Sequence, residues 1–246
     1  MNRKKLYFEE LDSTNSYLKE LAAKGAQEGT VIIANRQSAG RGRLGRSFFS
    51  PEEKGIYMSI LLRPDISLER AVLITSMAAV AVAEAIEQVS GIETKIKWVN
   101  DIFLNKKKVC GILTEAGIDA ETGILDYAVL GIGVNVGKMV FPEELKNIAT
   151  SVSNECGFEV SKETLIDKIL EQLEKWYPTI ADGSFLEESK KRSVLLGNDI
   201  RVIDETVPEG FYHAKAVDIN ELGNLIIERE GKLQVLNSGE VSIRFE

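Results

Sequence analysis

A chain of 246 residues, 44% hydrophobic and 28% charged, can bury one large core, or a large domain with a small companion, without disulfides or bound metal. Its formal charge of −8 disfavours a general polyanion binder, because phosphate-backbone affinity rests on accumulated lysine and arginine, so any anion site must be local. Two cysteines outside any CxxC spacing, Cys110 and Cys156, and the single His213 exclude a transition-metal cluster and read as structural thiols and a lone imidazole.

Met1 to Glu10 is charged and lacks the apolar core of a secretory signal, and the Ala/Val-rich run from Ala71 to Val89 is broken by Glu84 and Glu87. A cytoplasmic protein with no membrane partner is the expectation. Asp12-Ser13-Thr14-Asn15 offers cap side chains ahead of Tyr17, Leu18, Leu21 and Ala22, which predicts a helix from Thr14 to about Lys24, stopped by Gly25. Thr30 to Ala34 and Ile56 to Leu62 read as β-branched strands with a glycine-arginine loop between them. A long apolar helix follows from about Leu68 to Val89, closed by Gly91, with few polar positions and so mostly buried against a sheet. From Thr94 to Val136 strand-like runs alternate with turn clusters, which predicts an antiparallel meander. Ser161 to Tyr177 carries Leu165, Ile169, Leu173 and Trp176 on one stripe, an amphipathic helix ending before Pro178. After Ser193 five short strands recur at regular spacing, as in a small barrel, and a boundary near residue 190 divides the chain into 1–190 and 191–246.

Four segments carry chemistry. Between Glu28 and Glu52 there is no acidic residue, yet Arg36, Arg41, Arg43 and Arg46 fall there, interleaved with Gly40, Gly42 and Gly45. Planar guanidinium donors on a backbone free to turn suit phosphate or carboxylate; a solvated loop with incidental arginines is the plain alternative. The string Gly40-x-Gly-x-x-Gly45 matches the dinucleotide fingerprint only formally, since Ser47-Phe-Phe-Ser-Pro and a strand follow it where a helix is required. Lys97-Trp-Val-Asn-Asp101 ends a strand; Asn100 and Asp101 make a turn by default, and a carboxylate beside a lysine can also serve Mg²⁺ or a proton. Lys106-Lys107-Lys108 is a solvated turn unless one lysine points inward. In Gly131-Ile-Gly-Val-Asn135 two glycines leave room over a buried strand, and Asn135 is either a satisfied core amide or a ligand-reading one.

Together these segments resemble the biotin protein ligase family over nearly the whole chain: Ser13-Thr14-Asn15, Gln37, the Gly40-to-Arg46 loop, Lys97-Trp-Val-Asn-Asp101, Lys108-Val-Cys-Gly111, Gly131-Ile-Gly-Val-Asn135, and the Ser238-Gly-Glu-Val241 close. Two departures are Val99, where the family usually has proline, and Phe48, where it often has tryptophan. The resemblance implies an α+β fold, a mixed, mostly antiparallel sheet packed with helices like that of class II aminoacyl-tRNA synthetases, plus a C-terminal SH3-like barrel. It implies ATP and biotin as substrates with Mg²⁺, formation of biotinyl-adenylate and pyrophosphate, and transfer of biotin to a lysine of a biotin carboxyl carrier protein. By the same resemblance Ser13, Thr14, Asn15, Gln37, Gly40, Arg41, Lys108 and Gly111 bind biotin. Arg41, Arg43, Arg46, Phe48, Lys97, Trp98, Asn100 and Asn135 bind ATP. Arg43, Lys108 and Asp101 act in catalysis, with Asp101 the metal carboxylate. Longer members carry an N-terminal DNA-binding domain; with the first helix motif within fifteen residues of Met1, no DNA partner is expected. A homodimer through a sheet edge stays open. The rivals are a lipoate ligase of the same fold and a non-catalytic RNA-binding module, the latter opposed by the acidic terminal segment and its few aromatics, Phe211, Tyr212 and Phe245.

Overall fold

The computed structural model describes residues 4–119, 121–204, 206–237 and 242–245. The Ser238-to-Val241 close lies outside the described residues.

The chain opens with strand β1, Lys4–Leu11, which the charged N-terminus conceals in sequence. Its Phe8 ring meets Tyr17 edge-on at 4.9 Å, and Leu6, Phe8 and Leu11 pack inward while Lys4, Tyr7, Glu9 and Glu10 stay exposed, as on a half-covered strand. Helix α1, Thr14–Ala23, begins where the Ser13 hydroxyl accepts from the Ser16 N–H. Strand β2, Thr30–Gln37, runs parallel to β1, and β3, Gly55–Leu62, returns antiparallel to β2. A single 3₁₀ turn, Leu68–Arg70, precedes helix α2, Val72–Ser90, whose stop is Gly91 at φ 70°.

The meander follows as read: β4 Lys95–Lys97, β5 Asp101–Leu104, β6 Lys107–Ile118 and β7 Leu125–Asn135, each antiparallel to the next. The β5–β6 turn puts Asn105 and Lys106 at φ 45° and 69°, the twist a two-residue hairpin needs. Strand β7 then pairs with β3, giving a seven-stranded sheet in the order β1-β2-β3-β7-β6-β5-β4.

Period-two alternation splits this sheet into unlike faces. Val31, Ile33, Ile56, Met58, Ile60, Leu62, Leu130, Ile132 and Val134 join one core with α2 and with helix α4, Lys162–Trp176. Helix α2 is long and apolar enough to cross a membrane, but it is the buried spine of this core. On the opposite face α1 covers Ile32, Leu61 and Val129 with Leu18 and Ala22. Residues farther along that face, Tyr57, Ser59, Gly131, Gly133 and Asn135, lie beyond the N-terminus of α1, and the site is there.

Two short helices without a sequence signal, α3 Val152–Cys156 and α5 Leu186–Arg192, connect the sheet to the C-terminal unit. There β8 Asp199–Ile203, β9 Phe211–Ile219, β10 Leu225–Arg229, β11 Lys232–Leu236 and β12 Ser242–Phe245 form a five-stranded antiparallel sheet ordered β11-β10-β9-β8-β12. It is fastened to the larger sheet: the Trp98 indole N–H donates to the Gly223 carbonyl at 2.8 Å, and Lys190 pairs with Asp218 at 2.8 Å. The Trp98–Val99 peptide is cis.

Candidate functional site

A cleft opens on the α1 face of the sheet, and its walls bring together Ser13, Thr14, Asn15, Gln37, Arg41, Gly42, Arg43, Phe48, Asn100, Lys108 and Gly111, from segments scattered over the first half of the chain. The floor is thin by necessity. A Cβ on Gly131 would lie 2.2 Å from Asn15 Oδ1, and one on Gly133 would lie 2.6 Å from the Phe48 ring, so glycine alone lets the amide and the ring approach the strand.

The arginine loop is a folded flap. Arg41 and Ser47 bridge across its base, Gly42 N–H donates to the Arg46 carbonyl at 2.7 Å, and Phe48 N–H donates to the Gly40 carbonyl at 2.9 Å. Two of its arginines fasten it to the sheet. Arg43 Nη1 donates to Asn100 Oδ1 at 2.9 Å, and Arg41 Nη1 lies 3.2 Å from Glu115 Oε1. Burial lowers the pKa of the Arg43 guanidinium, with Asp101 opposing and Arg46 adding to the fall; an arginine stays cationic regardless.

Of the three consecutive lysines, Lys106 makes the turn and Lys107 donates outward to the Lys146 carbonyl. Lys108 turns in, its Nζ 2.6 Å from Asp101 Oδ1, and this is the inward lysine that separates a site from a solvated hairpin. Asn100 is oriented from behind: its Nδ2 donates to Asp101 Oδ1 and to the Ile112 carbonyl, leaving Oδ1 for Arg43.

At the other end Thr14 N–H donates to Gln37 Oε1 at 2.9 Å and Gln37 Nε2 donates to Ser50 at 3.3 Å. Asn15 Nδ2 donates to the Leu113 carbonyl and to Glu115, and Ser59 Oγ lies 2.7 Å from Thr14 Oγ1 and 2.6 Å from Asn15 Oδ1. Burial pushes the Glu115 carboxyl up, but hydrogen bonds from Lys19 and Asn15 and the charges of Lys19 and Arg41 outweigh it and hold it below the ordinary value. Neither Ser59 nor Glu115 was singled out in sequence. Ser59 is a lone polar residue inside an apolar strand run, a signal that could have found it; Glu115, next to Thr114, carries no such mark.

Six expected residues stand apart from the cleft lining: Gly40, Arg46, Lys97, Trp98, Asn135 and Asp101, the last joined to it through Lys108. The Trp98 indole is buried and turned to Gly223, Lys97 precedes it on β4, and Arg46 closes the far end of the flap. Asn135 continues the Gly131-Gly133 face but donates Nδ2 to the Thr150 carbonyl, and its buried Oδ1 has no hydrogen-bond partner. Gly40 sits at the flap base, where a Cβ would meet Ser50 Oγ at 2.6 Å. Among the described residues no group of three or more His, Cys, Asp or Glu side chains is placed to hold a metal ion.

A mixed sheet whose cleft gathers cations under a glycine-arginine flap, with an antiparallel unit appended, defines an acid-activating ligase class. Residues 7–135 match the biotin/lipoate A/B protein ligase family and residues 196–244 match the biotin protein ligase C terminal domain, so the chain belongs to the biotin/lipoate A/B protein ligase family. It is 38% identical over 246 residues to the bifunctional ligase/repressor BirA of Bacillus subtilis (strain 168), covering 99% of this chain and 75% of that one. To the biotin–[acetyl-CoA-carboxylase] ligase of Mycobacterium tuberculosis (strain ATCC 25618 / H37Rv) it is 30% identical over 239 residues, covering 93% and 85%. A biotin protein ligase from Aquifex aeolicus, solved in complex with biotin and ATP, superposes with a TM-score of 0.83 at 30% identity over the full length of both chains.

Proposed function

We infer that the protein is an ATP-dependent biotin protein ligase: it joins biotin to AMP with release of pyrophosphate and passes the biotinyl group to a lysine of a biotin carboxyl carrier protein. The observation that carries this is the convergence of Arg43 and Lys108 with the hydroxyls and amides of Ser13, Thr14 and Gln37 in one cleft.

In the first step a carboxylate oxygen of biotin bonds to the α-phosphorus while the bond to pyrophosphate breaks. Two anions meet, so the step needs fixed cations more than covalent help. Lys108 and Arg41 serve the carboxylate, and Arg43 with Arg46 the phosphates. Asp101 is the carboxylate paired with Lys108, and among the described residues no cluster of three or more His, Cys, Asp or Glu joins it, which suits Mg²⁺ delivered with the triphosphate rather than a resident ion. Asn135 Oδ1, buried without a donor, suits the exocyclic amine of adenine, and Phe48 the ring face. In the second step the lysine nitrogen bonds to the biotin carbonyl, AMP leaves, and the proton of the attacking amine goes to a base, for which Asp101 is the candidate. Keeping that amine neutral near pH 7 costs about 4–5 kcal/mol from its reference pKa. The flap shields the mixed anhydride from water between the steps.

A lipoate ligase is the weaker reading. The dithiolane of lipoate carries no N–H or carbonyl, and would leave the remaining donor and acceptor capacity of Thr14, Gln37 and Ser13 in the cleft without a ligand partner. The same proposal places the enzyme in the cytoplasm, divides it near residue 190, and leaves β1, an edge of the large sheet, available to a second copy. Incubation with biotin, ATP and Mg²⁺ should release pyrophosphate and label the lysine of a carrier domain; lipoate consumed in place of biotin overturns the reading.

A further inference from the structure

Ser59 is fully buried on β3, behind the cleft wall, and has no place in its lining. Its contacts nevertheless fix where protons can sit. Asn15 Nδ2 faces the Leu113 carbonyl at 3.2 Å and Glu115 Oε2 at 2.9 Å. A carbonyl and a carboxylate only accept, so the Asn15 amide has one orientation and Oδ1 must face Ser59. At 2.6 Å from an atom that cannot donate, Ser59 has to spend its single proton there. The 2.7 Å contact between Ser59 Oγ and Thr14 Oγ1 is then a hydrogen bond only if Thr14 donates it. Gln37 Oε1, which takes the Thr14 backbone N–H at 2.9 Å, is a second acceptor within reach of the Thr14 hydroxyl at 3.1 Å, but the contact to Ser59 is the shorter and would be a clash of lone pairs without that proton, so the proton goes to Ser59. With its proton turned inward, the Thr14 hydroxyl shows the cleft only lone pairs. Gln37, its oxygen already occupied, is left as a donor. An acceptor beside a donor is the complement of a ring N–H beside a carbonyl.

We propose that Ser59 is a specificity-determining positioning residue: by taking the Thr14 proton it fixes Thr14 as an acceptor and makes the cleft select a ligand with a ring N–H at that point. The proposal rests on biotin being the acid bound. It concerns a residue outside the cleft lining that acts through the hydroxyl it directly contacts, that of Thr14.

The test reads a ratio of affinities, which a general loosening of the pocket would leave alone. Titrate wild-type protein and Ser59→Ala, without ATP, with biotin, with desthiobiotin, and with the two cyclic carbamates in which one or the other ring N–H is replaced by oxygen. In wild type the carbamate that sets its ring oxygen against Thr14 should bind at least about a hundredfold more weakly than biotin, because two lone-pair surfaces meet. In Ser59→Ala the Thr14 hydroxyl can rotate and donate, and that gap should shrink by about tenfold or more, while desthiobiotin, which keeps both N–H groups, moves in step with biotin. Thr14→Val, which removes the hydroxyl and keeps the shape, should also narrow the gap and serves if Ser59→Ala does not fold. Equal weakening of all four ligands, or no change in their ratios, overturns the role of Ser59. Failure of wild type to bind biotin at all overturns the underlying function instead.

Discussion

Arg43 and Asp101 show how little covalent chemistry this site asks of single residues. Arg43 reaches from the flap to Asn100, so one side chain both supplies charge and holds the cover down. Arg43→Gly should let biotinyl-adenylate escape before transfer, and the variant should label lysines of bystander proteins in a mass-spectrometric survey. Labelling confined to the carrier domain would count against the flap as a water-excluding lid. Asp101 has a choice of duties, metal or proton, that a partial-reaction assay separates. If it takes the amine proton, Asp101→Asn should slow transfer from preformed adenylate by on the order of 10²-fold, with the loss shrinking as the pH approaches the acceptor amine's own range. A defect confined to adenylate formation would leave it the metal role alone.

At the scale of elements, helix α2 is the member on which the sheet depends. Leu73, Ile74, Met77, Val80 and Ile86 are all fully buried, and the helix closes on Gly91 in the left-handed region with no neighbour near its missing Cβ. Gly91→Ala therefore meets no steric clash, only backbone strain, and should cost about 1 kcal/mol, a fall in melting temperature of roughly 2–4 °C by calorimetry for a chain of this size. Biotin turnover at room temperature should be unchanged, since Gly91 lies on the α2 side of the sheet. The loop elements behave differently. The flap has only a 3₁₀ turn, Arg43–Gly45, and cross-flap hydrogen bonds of its own, with Arg41 and Arg43 as side-chain ties to the sheet, which is how a segment that must admit and retain a ligand can be both ordered and openable.

For the molecule as a whole, Trp98 joins the two sheets. It belongs to the Lys97-to-Asp101 segment that ends at the cleft, yet its indole N–H is spent on Gly223 in the C-terminal unit. Trp98→Phe keeps most of the apolar bulk and leaves that carbonyl unpaired, at a cost of about 1–3 kcal/mol. Limited proteolysis should cut sooner in 193–198, the stretch entering β8, and a cleavage rate equal to wild type would show that the indole bond does not hold the units together.

The elements with an unbroken pattern were legible from the chain: α2 and α4 by their stripes, the meander by its turn clusters, the terminal strands by their spacing. Strand β1 was not, because its charges come in the pairs Lys4-Lys5 and Glu9-Glu10, which hide the alternation of a half-covered edge strand and look like a solvated terminus. Helices α3 and α5 span 5 and 7 residues, too few for a period to show. Within the site, the glycine-arginine and strand-end patterns marked Arg41, Arg43 and Asn100, while Gln37 and Lys108 could be named beforehand only through the family resemblance of their motifs. Ser59 was marked only as a lone polar residue in an apolar strand and Glu115 not at all, since what each does depends on what sits across the sheet from it.

The sequence alone determined the element types and the cationic flap, because periodicity and residue chemistry act over a few neighbouring positions. Tertiary structure alone decided that Lys108 turns inward to Asp101, that Arg41 finds Glu115, and that one buried serine orients a threonine 45 positions away. Such contacts depend on strand register and on which face of the sheet α1 covers, and both follow from the packing of the entire core.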